Sequence, residues 1–185
     1  MIRTITRRAA DSMAQRYQYD ASYLNAVAAS SSGAAIRLGL LPLFSQYQGN
    51  ISAALWAGAA VGSTLDGDCG PCAQLTIDMA LERGVPAPLL NAALQGHWDE
   101  AGEVGLGMRF ATAAITDSPD LPELQAQVKQ AYGDAGLATL SIVSATARAW
   151  PVIKRGLGYG KVCQSVYVDD QKVDLALDTH PTAAL

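Results

Sequence analysis

Cysteine, histidine and charge are all scarce in this chain, and each shortage closes off a class of protein. Three cysteines and two histidines in 185 residues make no disulfide-stapled secreted framework, and the odd cysteine count argues the same way. A structural zinc site needs four ligands, and only Cys69 and Cys72 lie together; His97, Cys163 and His180 stand singly. No metal and no other cofactor is expected. Charged residues make up 16% of the chain, with a net charge of −4 and an isoelectric point near 5.0. That acidic balance argues against nucleic acid or an anionic membrane as partner. Between residues 21 and 65 Arg37 is the only charge, yet no apolar run there reaches the ~20 residues a membrane crossing requires. Strand candidates are few, and no internal repeat is visible.

What is present is apolar and helical. Hydrophobic residues are 50% of the chain, enough for one domain of this length to bury a core without staples. A single all-α domain over residues 1–185 is expected. Residues 1–20 carry Arg3, Arg7, Arg8 and Arg16 and read as a basic first helix or loose arm. Transit segments share some of that composition, but no apolar run of the secretory kind follows, and a reducing cytoplasm is the expected compartment. Asp20 is placed to cap a helix through Tyr23, Leu24 and Val27, which the 30–33 Ser-Ser-Ser-Gly stretch should break. Pro42 starts or kinks a second apolar run, and residues 51–63 form an Ala-rich helix containing Trp56. A nearly uncharged span of this size should serve both as central core and as a subunit interface, so a homo-oligomer is expected. Further helices are expected at 75–83, 89–94, 103–115, 122–132 and 137–157, with Gly84, Pro86 and Gly96 as stop signals. Residues 162–166 are ambiguous, and the tail from 167 to 185 reads as an exposed or partner-embracing arm.

The chemistry concentrates in Asp66-Gly67-Asp68-Cys69-Gly70-Pro71-Cys72. Proline is welcome only in the first turn of a helix, and Asp66 and Asp68 are natural N-cap residues ahead of it. Cys69 should therefore lie at a helix N-terminus, with Cys72 one turn further in. The helix dipole and unpaired N–H groups there favour a thiolate, so Cys69 is expected to be the attacking sulfur. Residues three apart share a helix face and are close enough to bridge. A redox dithiol is the chemical reading. Core packing is the bland alternative, because Ala73, Leu75, Ile77, Met79 and Leu81 make the helix apolar nearly all round. His97, beside Trp98, Asp99 and Glu100, lies in the most chemically mixed loop, where a lone histidine is ordinarily a surface or capping residue.

Cys-Gly-Pro-Cys is also the thioredoxin active-site sequence, but the strand and βαβ context which that fold requires is absent here. Over residues 50–163 the order of features resembles the alkylhydroperoxidase and carboxymuconolactone decarboxylase (AhpD-like) family. A mostly uncharged helix, an acid just ahead of Cys-x-x-Cys, the helix to Gly84 and Val85-Pro86 carry the likeness. Phe110-Ala111-Thr112-Ala113, Asp117 and a closing Ala-rich helix continue it. The resemblance implies an AhpD-like helical domain, helical oligomers, and reduction of hydroperoxides through a Cys69–Cys72 disulfide that an external dithiol resets. Cys69 would attack a hydroperoxide or disulfide substrate, and Cys72 would resolve it. Peroxidase members carry a histidine where this chain has Thr76, and a glutamate on the preceding helix where this chain has no acid. Thr76 can donate a hydrogen bond but cannot act as a base near neutral pH. Asp68 and His97 are the candidates to take the proton instead. The alternatives are a non-enzymatic helical oligomer with a redox-sensitive or structural cysteine pair and, last, a lyase-like pocket using His97.

Overall fold

The computed structural model describes residues 2–67, 69–160, 165–169 and 171–175, with side chains at residue 8 and from residue 11 onward within those ranges. The helix at the centre is α5 (Ala53–Asp66), preceded by α1 (Ile2–Tyr17), α2 (Ser22–Ser30), α3 (Ser32–Leu40) and α4 (Pro42–Ser45). It is followed by α6 (Gly70–Glu82), α7 (Ala87–Leu94), α8 (Gly102–Thr116), α9 (Leu121–Gly156) and a hairpin of β1 (Ser165–Val168) and β2 (Gln171–Asp174). The described chain is mostly helical, as the composition implies.

Ser52 starts α5 by accepting from the Leu55 N–H at 3.0 Å, and every residue from 55 to 64 is buried. Small side chains explain how the helix can be surrounded. A Cβ on Gly58 would fall on the Val104 carbonyl, and one on Gly107 would fall on the Leu55 carbonyl. The backbones of α5 and α8 therefore touch, which only glycine permits at those two positions. Phe110, Val104, Leu140 and Val143 close the remaining sides. Residues 122–132 and 137–157, expected as two helices, join in α9, with a break at Gly133 (φ 68°, ψ −172°) where the backbone leaves the helix. Among the described residues α9 is the one helix long and apolar enough to cross a membrane, but its inner face, including Leu140, Val143 and Ala147, is buried in the core.

The N-terminal helices form a second layer around a smaller cluster of Tyr19, Ala21 and Tyr23. Glu82 at the end of α6 ties α1 down, accepting from Tyr17 Oη at 2.6 Å and pairing with Arg16 at 2.9 Å. Ser31 caps α3 through the Ala34 N–H, ending α2 as the serine run suggests. The α3–α4 surface leaves Ile36, Leu40, Leu43, Phe44 and Tyr47 exposed.

Two expectations need correcting. Residues 167–169 and 171–175 are no loose arm: Val166 pairs with Val173 across an antiparallel hairpin, and both are buried together with Val168. Gln74 on α6 pins it, donating to the Tyr167 carbonyl at 2.9 Å and accepting from the Tyr167 N–H at 2.7 Å. Residues 161–164, which include Cys163, and 176–185, which include His180, lie outside the described residues. Asp66 is no cap for α6 either. It ends α5, and Cys69 itself occupies the N-cap position with no side-chain cap bond.

Candidate functional site

The turn between α5 and α6 is held from behind by α9. Arg148 Nε lies 2.6 Å from Asp66 Oδ2, Arg155 donates to the Gly67 carbonyl, and a Cβ on Gly67 would collide with Pro151. Asp66 is drawn back to Arg148 by charge, which is why it does not reach forward to the helix start. With that turn fixed, Gly70 and Pro71 open α6, and the Cys72 and Ala73 N–H groups both bond the Cys69 carbonyl at 3.0 Å. Cys69 and Cys72 are disulfide-bonded, with Cα atoms 5.3 Å apart, inside the usual bridging range. Each is only 3% exposed.

A cavity of about 380 Å³ opens beside this pair. Tyr19, Tyr23, Trp56 and Trp150 form its aromatic walls, with Leu38 and Met79 among the aliphatic ones. Cys72 lines the cavity; Cys69 does not. Trp56 and Trp150 are fixed by their indole N–H groups, which donate to the Ser45 carbonyl at 3.0 Å and Ser45 Oγ at 3.3 Å. Arg83 stacks on the Trp56 ring, 3.5 Å from its centroid. The site is thus a largely apolar chamber of a size suited to a small molecule, with one sulfur in its wall.

The structure separates the residues singled out from sequence. Thr76 is at the cavity, but its hydroxyl donates to the Cys72 carbonyl at 2.9 Å rather than to sulfur. Serine and threonine commonly make that bond within helices. His97 belongs to a different, polar depression formed with Trp98, Asp99, Glu100, Arg109 and Asp120, and its Nδ1 lies 3.9 Å from Glu100. It shares no lining residue with the cysteine cavity. Asp68 lies outside the described residues. Among the described residues no group of three or more histidines, cysteines and acids could hold a metal.

Sequence reasoning missed the polar cluster behind Cys72. Tyr19 Oη lies 4.0 Å from Cys72 Sγ and 3.4 Å from Tyr23 Oη, and it accepts from Lys154 Nζ at 3.2 Å. Lys154 is 2% exposed and sits 4.6 and 5.2 Å from the centroids of the Tyr19 and Tyr23 rings. Burial pushes the Tyr19 phenol above its ordinary value, with Tyr23's hydrogen bond pulling partly back and Asp20's charge adding to the rise. Tyr23 is pushed further up, again chiefly by burial. The one available signal was a lysine inside the apolar end of α9, among Trp150, Val152 and Ile153.

No protein-family model, curated protein or solved structure matches the chain.

Proposed function

We propose that the chain is a thiol–disulfide oxidoreductase in which Cys69 and Cys72 cycle between dithiol and disulfide against an apolar substrate. The observation that carries this reading is the placement of a bonded Cys-x-x-Cys pair at a helix start, with one of its sulfurs in the wall of an apolar cavity. An apolar hydroperoxide or disulfide is the substrate class that fits such walls. The cavity presents Cys72, so the roles expected from helix position alone are exchanged: Cys72 attacks, and Cys69 resolves. With a hydroperoxide, the Cys72 thiolate takes the distal oxygen, the O–O bond breaks, and the alkoxide leaves with a proton as alcohol. The Cys69 thiol then attacks the sulfenic sulfur and expels water, forming the disulfide. An external dithiol reverses the bond by two exchange steps and leaves as its own disulfide. The AhpD-like fold and family belong to the same proposal, supported by the helical order around the motif.

Assembly is part of the reading. The exposed α3–α4 residues Leu40, Leu43 and Phe44 come from the nearly uncharged span and would be covered by a second copy of the chain. Sedimentation at micromolar concentration should give a species heavier than the 19.3 kDa protomer, and a clean monomer refutes it.

A second reading draws on burial: with both sulfurs 3% exposed, the disulfide could be a staple in a non-enzymatic oligomer. Steady-state consumption of an organic hydroperoxide in the presence of a small dithiol separates the two. Wild type should turn over and Cys72→Ser should not. Equal background rates for both leave the staple.

A further inference from the structure

We propose that Tyr19 and Lys154 form a hydrogen-bond relay that stabilises the Cys72 sulfur as a thiolate whenever the disulfide opens. This rests on the reading of Cys72 as a redox thiol. It assigns the charge handling that neither Thr76 nor His97 can supply, since Thr76 is committed to a carbonyl and His97 lies at another depression.

The geometry is a chain of three groups. Lys154 Nζ donates to Tyr19 Oη at 3.2 Å, and Tyr19 Oη stands 4.0 Å from Cys72 Sγ. The phenol has one proton to give, and among the described residues Tyr23 Oη and Cys72 Sγ can take it, at 3.4 and 4.0 Å. In the disulfide, sulfur is a weak acceptor, and the proton belongs with Tyr23. When a donor thiolate attacks Cys69 Sγ, a new sulfur–sulfur bond forms there and the Cys69–Cys72 bond breaks. The electron pair leaves on Cys72. A full negative charge is a far stronger acceptor than a bridged sulfur, so the Tyr19 hydroxyl turns to it, backed by the Lys154 donor. The proton remains on Tyr19, because burial holds that phenol above its ordinary value. In the oxidative direction the same bond keeps Cys72 ionised inside walls that would otherwise favour the neutral thiol.

Placement of the lysine supports a role beyond packing. Lys154 is 2% exposed, and its ammonium is directed to Tyr19 Oη with the Tyr19 and Tyr23 rings beside it, so its charge is held at the relay and not in bulk solvent. Among the described residues, the neighbouring charged and titratable groups have contacts of their own. Asp66 pairs with Arg148, Arg155 bonds the Gly67 carbonyl, Asp20 accepts from the Ser22 N–H, and the Tyr159 ring lies against Tyr23 at 6.4 Å between centroids.

The test uses the full chain carrying Cys69→Ser and Cys163→Ser, so that Cys72 is its only thiol. The pH midpoint of its ionisation is read from thiolate ultraviolet absorbance and from iodoacetamide rates. Adding Tyr19→Phe, which keeps the ring, should raise the midpoint by about one unit, or roughly tenfold less thiolate at a fixed pH below it. Lys154→Met should raise it at least as far. A folded Tyr19→Phe protein whose midpoint does not move overturns the relay. Should Lys154→Met fail to fold, the Tyr19→Phe result decides alone. Turnover of the two-cysteine protein is followed in parallel. A midpoint that follows Tyr19 in a protein without turnover keeps the relay and removes the oxidoreductase reading. An unmoved midpoint in an active protein removes the relay only.

Discussion

The two faces of α5 and its neighbours are buried by opposite means. Toward α8 the contact is backbone on backbone, built from Gly58, Gly62 and Gly107, and every buried group there is small or apolar. Toward α2, α4 and α9 lies a cavity of about 380 Å³ with Tyr19, Tyr23 and Cys72 in its wall, and Lys154 and Cys69 are buried behind them. The first face follows what close packing alone would choose. The second gives up packing and hides polar groups, both of which cost stability. A folding chain has no use for that combination, and a chemical site does. That contrast is what supports placing the proposed site on the cysteine side.

Substitutions that add volume should separate the two faces. Gly58→Ala places a Cβ on the Val104 carbonyl and should cost about 3 kcal/mol in denaturant unfolding, as overpacking against a backbone does. A loss below about 1 kcal/mol would mean that the helices can part, and the contrast would fail. Leu38→Trp adds more volume but points into the cavity, where it should cost under about 1 kcal/mol while lowering hydroperoxide turnover severalfold. Unchanged turnover in a folded Leu38→Trp protein would place the substrate elsewhere.

The smallest effect concerns how the N-terminal layer is held over the cavity. Tyr17's hydrogen bond, and then Arg16, hold the Glu82 carboxyl below its ordinary value. A depressed folded value means that the carboxylate contributes stability at neutral pH, and the contribution is lost as pH falls through that folded value. Thermal melts should therefore show a shallower decline on the acid side for Glu82→Gln than for wild type. Identical acid limbs would show that α1 is held by packing alone.

Helices were legible because their ends carry chemistry the backbone needs. Pro42 and Pro71 open and Gly84 and Gly96 stop with positive φ, whereas the caps at Ser31, legible only as part of a break, and at Ser52 came from the structure. The hairpin was not, because four-residue strands offer too short an alternation, and its anchor is Gln74, 93 positions from Tyr167. The dithiol was legible as four consecutive residues. Its cavity and polar cluster were not, since Lys154 meets Tyr19 across 135 positions and no local pattern encodes such a meeting. Asp66 misled for the same reason: its partner, Arg148, lies far along the chain.

Whether Cys69 and Cys72 work as a dithiol can be read in a single reaction. Fully reduced protein is mixed with one equivalent of an apolar organic hydroperoxide, quenched with an alkylating agent at intervals, and mapped by non-reducing peptide mass spectrometry. The Cys69 and Cys72 thiols should vanish together into a bond between them, with alcohol appearing at the same rate and Cys163 still free to alkylate. Survival of both thiols in the presence of the oxidant, or oxidation confined to Cys163, would contradict the dithiol reading.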